Sequence, residues 1–177
     1  YGTKGLQANN YPVMESIYIG IDPGLSGAVA ILGHDADPAI IDTPTTVVKS
    51  GKRSKTLYVH RYMADIFRKY TSSPQLCLLA IEKAHPMPKQ GVTSTFSTGY
   101  GYGIWIGILT AFRIPYMEVT PQAWKKEMMN GMAKEKAASC YRAQKLFPRM
   151  ELFTPKGRAI DGRGDALLIA AYIRKNY

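Results

Sequence analysis

Cysteine is almost missing from this chain. Its 177 residues include only Cys77 and Cys140, which excludes a disulfide-stapled scaffold. Cys77 lies in an apolar run and Cys140 in a helical pattern, so both read as free thiols of a reducing compartment. Apolar runs of membrane-spanning length, about 20 residues, are absent as well, and no membrane partner is expected. There is no internal repeat and no low-complexity tract. Acids are the scarcer charge. Thirteen Asp and Glu against twenty-three Lys and Arg leave a formal charge of +10. A domain this basic attracts polyanions, nucleic acid first among them through counterion release. A merely soluble basic surface gives the same sum. The first residue is Tyr rather than Met, as in a trimmed chain, and a targeting segment would have gone with the trimming.

What is present reads as a flexible lead-in over 1–16 and one domain over 17–177. Residues 16–22 and 27–32 are apolar and partly β-branched on either side of Pro23-Gly24. They predict a tight strand hairpin. Residues 39–42 predict a third strand, and 43–55 a polar, mobile basic stretch. Val59, Tyr62, Met63, Ile66, Phe67 and Tyr70 fall on one face of a helix over 57–70. Residues 76–81 predict a buried strand ending at Glu82, followed by a loop through Thr95. Ser97 is placed to cap a helix bearing Tyr100, Ile104, Ile108 and Ala111. A strand over 116–119 and helices over 134–147 and 164–175 complete the order. Three strands, helix, strand, helix, strand and two helices suggest an α/β domain with a mixed sheet.

The chemistry gathers at element ends. Asp22 closes the first strand and Glu82 the fourth. Asp161 and Asp165 are four apart, on one face at the start of the last helix. Acids brought together there repel one another unless a cation neutralises them. A pair of hard divalent cations would do so, one activating a water and the other stabilising the leaving oxygen of a phosphodiester. Each acid also has an ordinary role open to it. Asp before Pro-Gly forms turns, Glu82 is a plain strand-end charge, Asp161 is placed to cap the helix, and Asp165 suits its dipole. The glycines 99, 101, 103 and 107 lack the Lys-Ser/Thr of a phosphate loop, so no nucleotide cofactor is expected. They suit close approach of a helix to a partner or to the sheet.

The segments Ile-Gly-Ile-Asp-Pro-Gly-Leu-Ser-Gly (19–27), Ala-Ile-Glu-Lys-Ala (80–84) and Asp-Gly-Arg-Gly-Asp-Ala-Leu-Leu-Ile-Ala-Ala-Tyr (161–172) resemble the RuvC family of Holliday junction resolvases. Glu-Lys-Ala-His-Pro-Met-Pro-Lys-Gln-Gly (82–91) and the glycine-rich 97–107 are similar to its chloroplast branch and related phage and bacterial proteins. The resemblance spans about 17–172. It implies a ribonuclease-H-like fold, with a mixed five-stranded sheet of three antiparallel and two parallel strands flanked by helices. It further implies a homodimer that nicks four-way DNA junctions symmetrically with magnesium, manganese substituting, inside a bacterial, phage-infected or chloroplast compartment. Asp22, Glu82, Asp161 and Asp165 would be catalytic metal ligands. The family has Gln where Lys83 stands, and its last two acids are three apart rather than four. The wider spacing leaves Asp161 either a direct ligand or one acting through water.

Around these acids, DNA contacts are expected from Lys83, His85, Lys89, Gln90, Lys125, Lys126, Lys134, Lys156, Arg158 and Arg163. Phe96 is expected in the loop that probes the junction centre, stacking on a base; partial burial is its ordinary alternative. Trp124 reads as packing. Two further functions share parts of the pattern. A related nuclease on other DNA or RNA would keep the acids. An actin- or sugar-kinase-type nucleotide binder needs far more chain.

Overall fold

A computed structural model of the chain describes residues 16–33, 37–68, 77–86, 91–132, 135 and 137–177. The expected lead-in, apart from Ser16, lies outside them, as do Lys89, Gln90 and Lys134. The elements are β1 (Ile17–Ile21), β2 (Ala28–Leu32), β3 (Ala39–Asp42), β4 (Thr45–Ser50), β5 (Arg53–Tyr58), α1 (His60–Arg68), β6 (Cys77–Glu82), α2 (Val92–Ala111), β7 (Met117–Val119), α3 (Pro121–Met128), α4 (Ala138–Leu146) and α5 (Asp161–Asn176). Five strands form one sheet in the order β3-β2-β1-β6-β7. β2 pairs antiparallel with both β1 and β3, while β6 runs parallel to both β1 and β7. This is the α/β architecture the sequence predicts.

Successive side chains of a strand point to opposite faces, and the two faces here differ in size. Ile19, Ile21, Val29, Ile31, Leu79 and Ile81 face α1 and α2, meeting Met63, Phe67, Trp105 and Leu109. Ala28, Ala30 and Ala80 face α5, as does Gly20, where a Cβ would stand 2.3 Å from the Ala166 carbonyl oxygen. Small residues on that face let the buried helix α5, with its Ala-Leu-Leu-Ile-Ala-Ala run, lie close on the sheet. Hydrophobic burial on both faces holds the layers together. Among the described residues no helix is long and apolar enough to cross a membrane, and both cysteines are free.

Several expectations need correction. Residues 43–55 are not a mobile stretch, because β4 and β5 pair there as a separate two-stranded ribbon. α2 starts at Val92 rather than at Ser97. Val92–Phe96 is therefore helical, and Phe96 lies on the second turn rather than in a loop. Tyr62 is 60% exposed although its predicted face is apolar. α1 buries only Met63, Ile66 and Phe67. α3 is an element the periodicity does not predict. α4 begins at Ala138, and α5 begins at Asp161 rather than at Gly164, so the last two acids are both helical.

Candidate functional site

β1 and β6 are parallel neighbours with Ile21 opposite Ile81. Asp22 follows β1 and Glu82 ends β6, so both acids leave the sheet at one edge. The turn after β1 is tight. The Gly24 N–H donates to Asp22 Oδ1 (3.3 Å), and the Asp22 N–H donates to the Ala28 carbonyl (3.0 Å). A Cβ on Gly27 would stand 2.1 Å from the Asp22 carbonyl oxygen, and one on Gly162 would stand 2.1 Å from the Ser26 carbonyl oxygen. Only glycine fits at either position. The second glycine seats the first turn of α5, with Asp161 and Asp165, directly against the Asp22 turn.

The acids feel one another. Burial lifts the Asp22 carboxyl to about 7, helped by the charges of Asp165 and Glu82. Burial also pushes up Glu82 and Asp165. Asp165 adds to the first of these shifts and Asp161 to the second, while Lys125 opposes both. Trp124 Nε1 donates to Glu82 Oε2 at 2.6 Å, and Ser139 hydrogen-bonds Asp165. Asp161 Oδ1 is buried without a hydrogen-bond partner. The Cys140 thiol rises to about 11, through burial first and then the charges of Asp161 and Asp165.

Two adjoining depressions divide the acids. Asp22 and Glu82 line one of about 330 Å³, and Asp161 and Asp165 line one of about 740 Å³. Gln122 and Lys125 belong to both, so the Lys125 ammonium is shared by the two pairs. Among the described residues no three acid, His or Cys side chains close to the spacing of ligands on one ion. The donor set is nonetheless that of a hard cation: four carboxylates, three hard to ionise together, and one buried oxygen without a partner.

The other expected residues are scattered around this edge. Lys83 pairs with Glu118 at 3.5 Å, and His85 lines the Asp22–Glu82 depression. Lys126 lines the larger depression. Lys156 and Arg158 are exposed beside the turn that precedes α5. Arg163 was expected among the DNA contacts. Its guanidinium forks onto both oxygens of Asp42 (2.7 and 2.8 Å) and donates to the Glu151 carbonyl (2.8 Å). The sequence pointed to Trp124 only as packing, and it missed Ser139 altogether. The Thr120-Pro121 start of α3, where Thr120 caps the helix by accepting from the Ala123 N–H, was the signal that would have placed Trp124.

Trp124→Phe removes the donor on Glu82 and, because the indole is fully buried and larger than a phenyl ring, leaves a small cavity beside it. If a divalent cation binds these acids, its apparent affinity is expected to fall about 10- to 100-fold, as when a metal ligand loses the hydrogen bond that orients it. A magnesium titration of the melting temperature of both proteins checks this.

An α/β sheet in this order, with acids at the ends of its central parallel strands, defines the ribonuclease-H-like fold. Two solved structures share it. Thermus thermophilus RuvC in complex with a Holliday junction substrate aligns with a TM-score of 0.54 and 12% identity, over 91% of this chain and 96% of that one. A second Thermus thermophilus RuvC structure aligns with a TM-score of 0.52 and 14% identity, over 90% of this chain and 96% of that one. No protein-family model and no curated protein matches the chain.

Proposed function

We propose that this protein is a DNA endonuclease that resolves four-way junctions by paired, symmetric nicks and depends on magnesium or manganese. The observation that carries this is the set of four acids at one sheet edge, three of them lifted by burial and mutual charge, on the fold of a protein solved with a Holliday junction. Asp22, Glu82 and Asp165, with Asp161, would hold the cations. Once bound, such ions supply an activated water and a stabilised leaving oxygen.

The remaining groups position these acids and the DNA. The Gly24 N–H steadies Asp22, Trp124 Nε1 orients Glu82, and Ser139 holds Asp165. Lys125 and Lys126, with Lys156 and Arg158 beyond them, face phosphates flanking the scissile one. Lys83 and His85 extend that contact surface, and Lys89, Gln90 and Lys134 are proposed from sequence as further DNA contacts. Phe96 is 71% exposed and meets an unstacked base at the junction. The motifs at 82–91 and 97–107 support a place in the chloroplast-like branch.

Paired nicks need two sites, supplied by a second copy docked along α2. Its 20 residues carry no charge. Gly99, Gly103 and Gly107 repeat every four residues, with open space where their Cβ atoms would stand. A Cβ at Gly103 meets nothing within 4 Å, so Gly103→Leu is expected to leave the protomer folded and to improve helix propensity by up to about 1 kcal/mol. It is expected to turn a dimer into a monomer in light scattering. An unchanged dimer mass would remove α2 from the interface.

The test of function compares a labelled four-way junction, a linear duplex and an RNA–DNA hybrid, each with magnesium. Symmetric cuts in the junction alone are expected. Equal cutting of the duplex or hybrid would leave a nuclease but not a resolvase, and binding without cutting would end the enzyme reading.

A further inference from the structure

The ribbon β4–β5 stands off the sheet. All of β4 is exposed, and so is all of β5 except Tyr58. A two-stranded hairpin alone is marginal in water. This one is tied at its base, where the Val59 N–H donates to the Pro44 carbonyl and the Thr43 N–H to the Gly27 carbonyl, both at 2.9 Å. Its tip turns through Gly51 at φ +59. Residues 43–64 contain Lys49, Lys52, Arg53, Lys55 and Arg61 and no acid. Among the described residues, none of the four ribbon cations pairs with a carboxylate. The strand register puts Arg53 and Lys55 on one face and Lys49 on the other.

At the foot of the ribbon lies a groove of about 320 Å³, walled by Lys55–Tyr58 on one side and by Phe96 and Tyr100 on the other. The Phe96 and Tyr100 rings are nearly parallel, 8° apart with centroids at 6.1 Å. The Tyr100 hydroxyl and His60 Nε2 lie 3.1 Å apart, within hydrogen-bond distance. The Tyr58 hydroxyl donates to the Pro23 carbonyl at 3.4 Å, one residue from Asp22. One wall of the groove therefore touches the turn that carries Asp22.

We propose that ribbon and groove form one strand-binding surface, separate from the acids. The four cations hold phosphates of a DNA strand, and the groove takes one of its unstacked bases. The occupant follows from charge and shape. Unpaired cations on both faces of an acid-free ribbon match a polyanion, and exposed aromatic faces at its foot match a base. This rests on the nucleic-acid reading of the acid site and adds a contact outside it.

The test is anisotropy binding in EDTA to oligothymidylate and to an abasic oligomer of equal length. The quadruple variant Lys49→Gln, Lys52→Gln, Arg53→Gln, Lys55→Gln is expected to weaken both. It should flatten the slope of log affinity against log salt by up to about 3, at roughly 0.7 per lost phosphate contact. Tyr100→Leu should weaken oligothymidylate roughly tenfold and leave the abasic oligomer unchanged. Lys52→Gln with Arg53→Gln, both at the tip, is compared with Lys145→Gln plus Arg174→Gln at the far ends of α4 and α5. The two pairs remove equal charge. Equal losses from both pairs, or no loss from the tip pair, would overturn the ribbon. Equal losses on both oligomers from Tyr100→Leu would overturn the groove. No metal is present, so a protein that never cuts a junction can still pass, and a working nuclease can still fail.

Discussion

Asp22→Asn is expected to make the metal-free protein more stable at pH 8 while abolishing cleavage. In the unfolded chain this carboxyl titrates at its ordinary value of 3.8. In the fold, burial and then the charges of Asp165 and Glu82 lift it to about 7. Below 3.8 the acid is neutral in both states and costs nothing. As pH rises from there the unfolded state ionises first, so stability falls until about pH 7 and then levels. Three units correspond to a penalty on the order of 4 kcal/mol at most. Asn stays neutral, so the variant is expected to melt several degrees higher at pH 8, at about 2–4 °C per kcal/mol for a chain of this size. The gap should close toward pH 4. Magnesium should raise the wild-type melting temperature by mass action and raise the variant's much less. Melting scans at pH 4, 6 and 8 with and without magnesium check both halves. A variant no more stable than wild type at pH 8 would mean that Asp22 carries no such penalty.

The second large effect is expected from a residue with no chemistry of its own. Gly162→Ala places a Cβ 2.1 Å from the Ser26 carbonyl oxygen and 2.6 Å from Gly27 Cα. Both are backbone atoms, so no side chain can yield and the first turn of α5 must back away from the Asp22 turn. Overpacking of this kind costs about 1–3 kcal/mol or more. The larger consequence is that Asp161 and Asp165 move with the turn, because a misplacement of about 1 Å costs catalysis roughly 100-fold. Cleavage is expected to fall about 100-fold even where the variant still melts cooperatively. Gly91→Ala, with nothing within 4 Å of the new Cβ, is expected to keep the wild-type melting temperature. Full activity in a folded Gly162→Ala protein would contradict this account of how the acids are brought together.

The sheet was legible because burial wrote it. Ile19, Ile21, Val29, Ile31, Leu79 and Ile81 alternate with small residues, and β3 falls where its Ile pair predicts. The acids were legible for the same reason, since Asp22 and Glu82 stand where apolar runs stop and Asp161 and Asp165 where one starts. The ribbon was not. Both of its faces are exposed, so no apolar face imposes the period-2 pattern that betrays a strand. Only Thr-Thr-Val-Val and the Gly51-Lys52 turn marked it. α3 spans eight residues, too few for an apolar stripe. A Trp that packs and a Trp that packs while donating to Glu82 look the same in sequence. The Ser/Thr-rich start of α2 resembles a loop, and no side chain caps it, so the sequence alone puts Phe96 in the loop rather than on the helix. The Arg163–Asp42 pair was not legible either, because its partners lie 121 residues apart.

The central claim is that these carboxylates cut a phosphodiester at a branched DNA site. Its most direct test is single-turnover cleavage of a four-way junction by wild type and Glu82→Gln, with junction binding measured alongside. Wild type is expected to place paired nicks only when magnesium or manganese is present, and Glu82→Gln to bind the junction and leave it intact. Cleavage by Glu82→Gln at the wild-type rate, or by wild type in EDTA, would contradict the account.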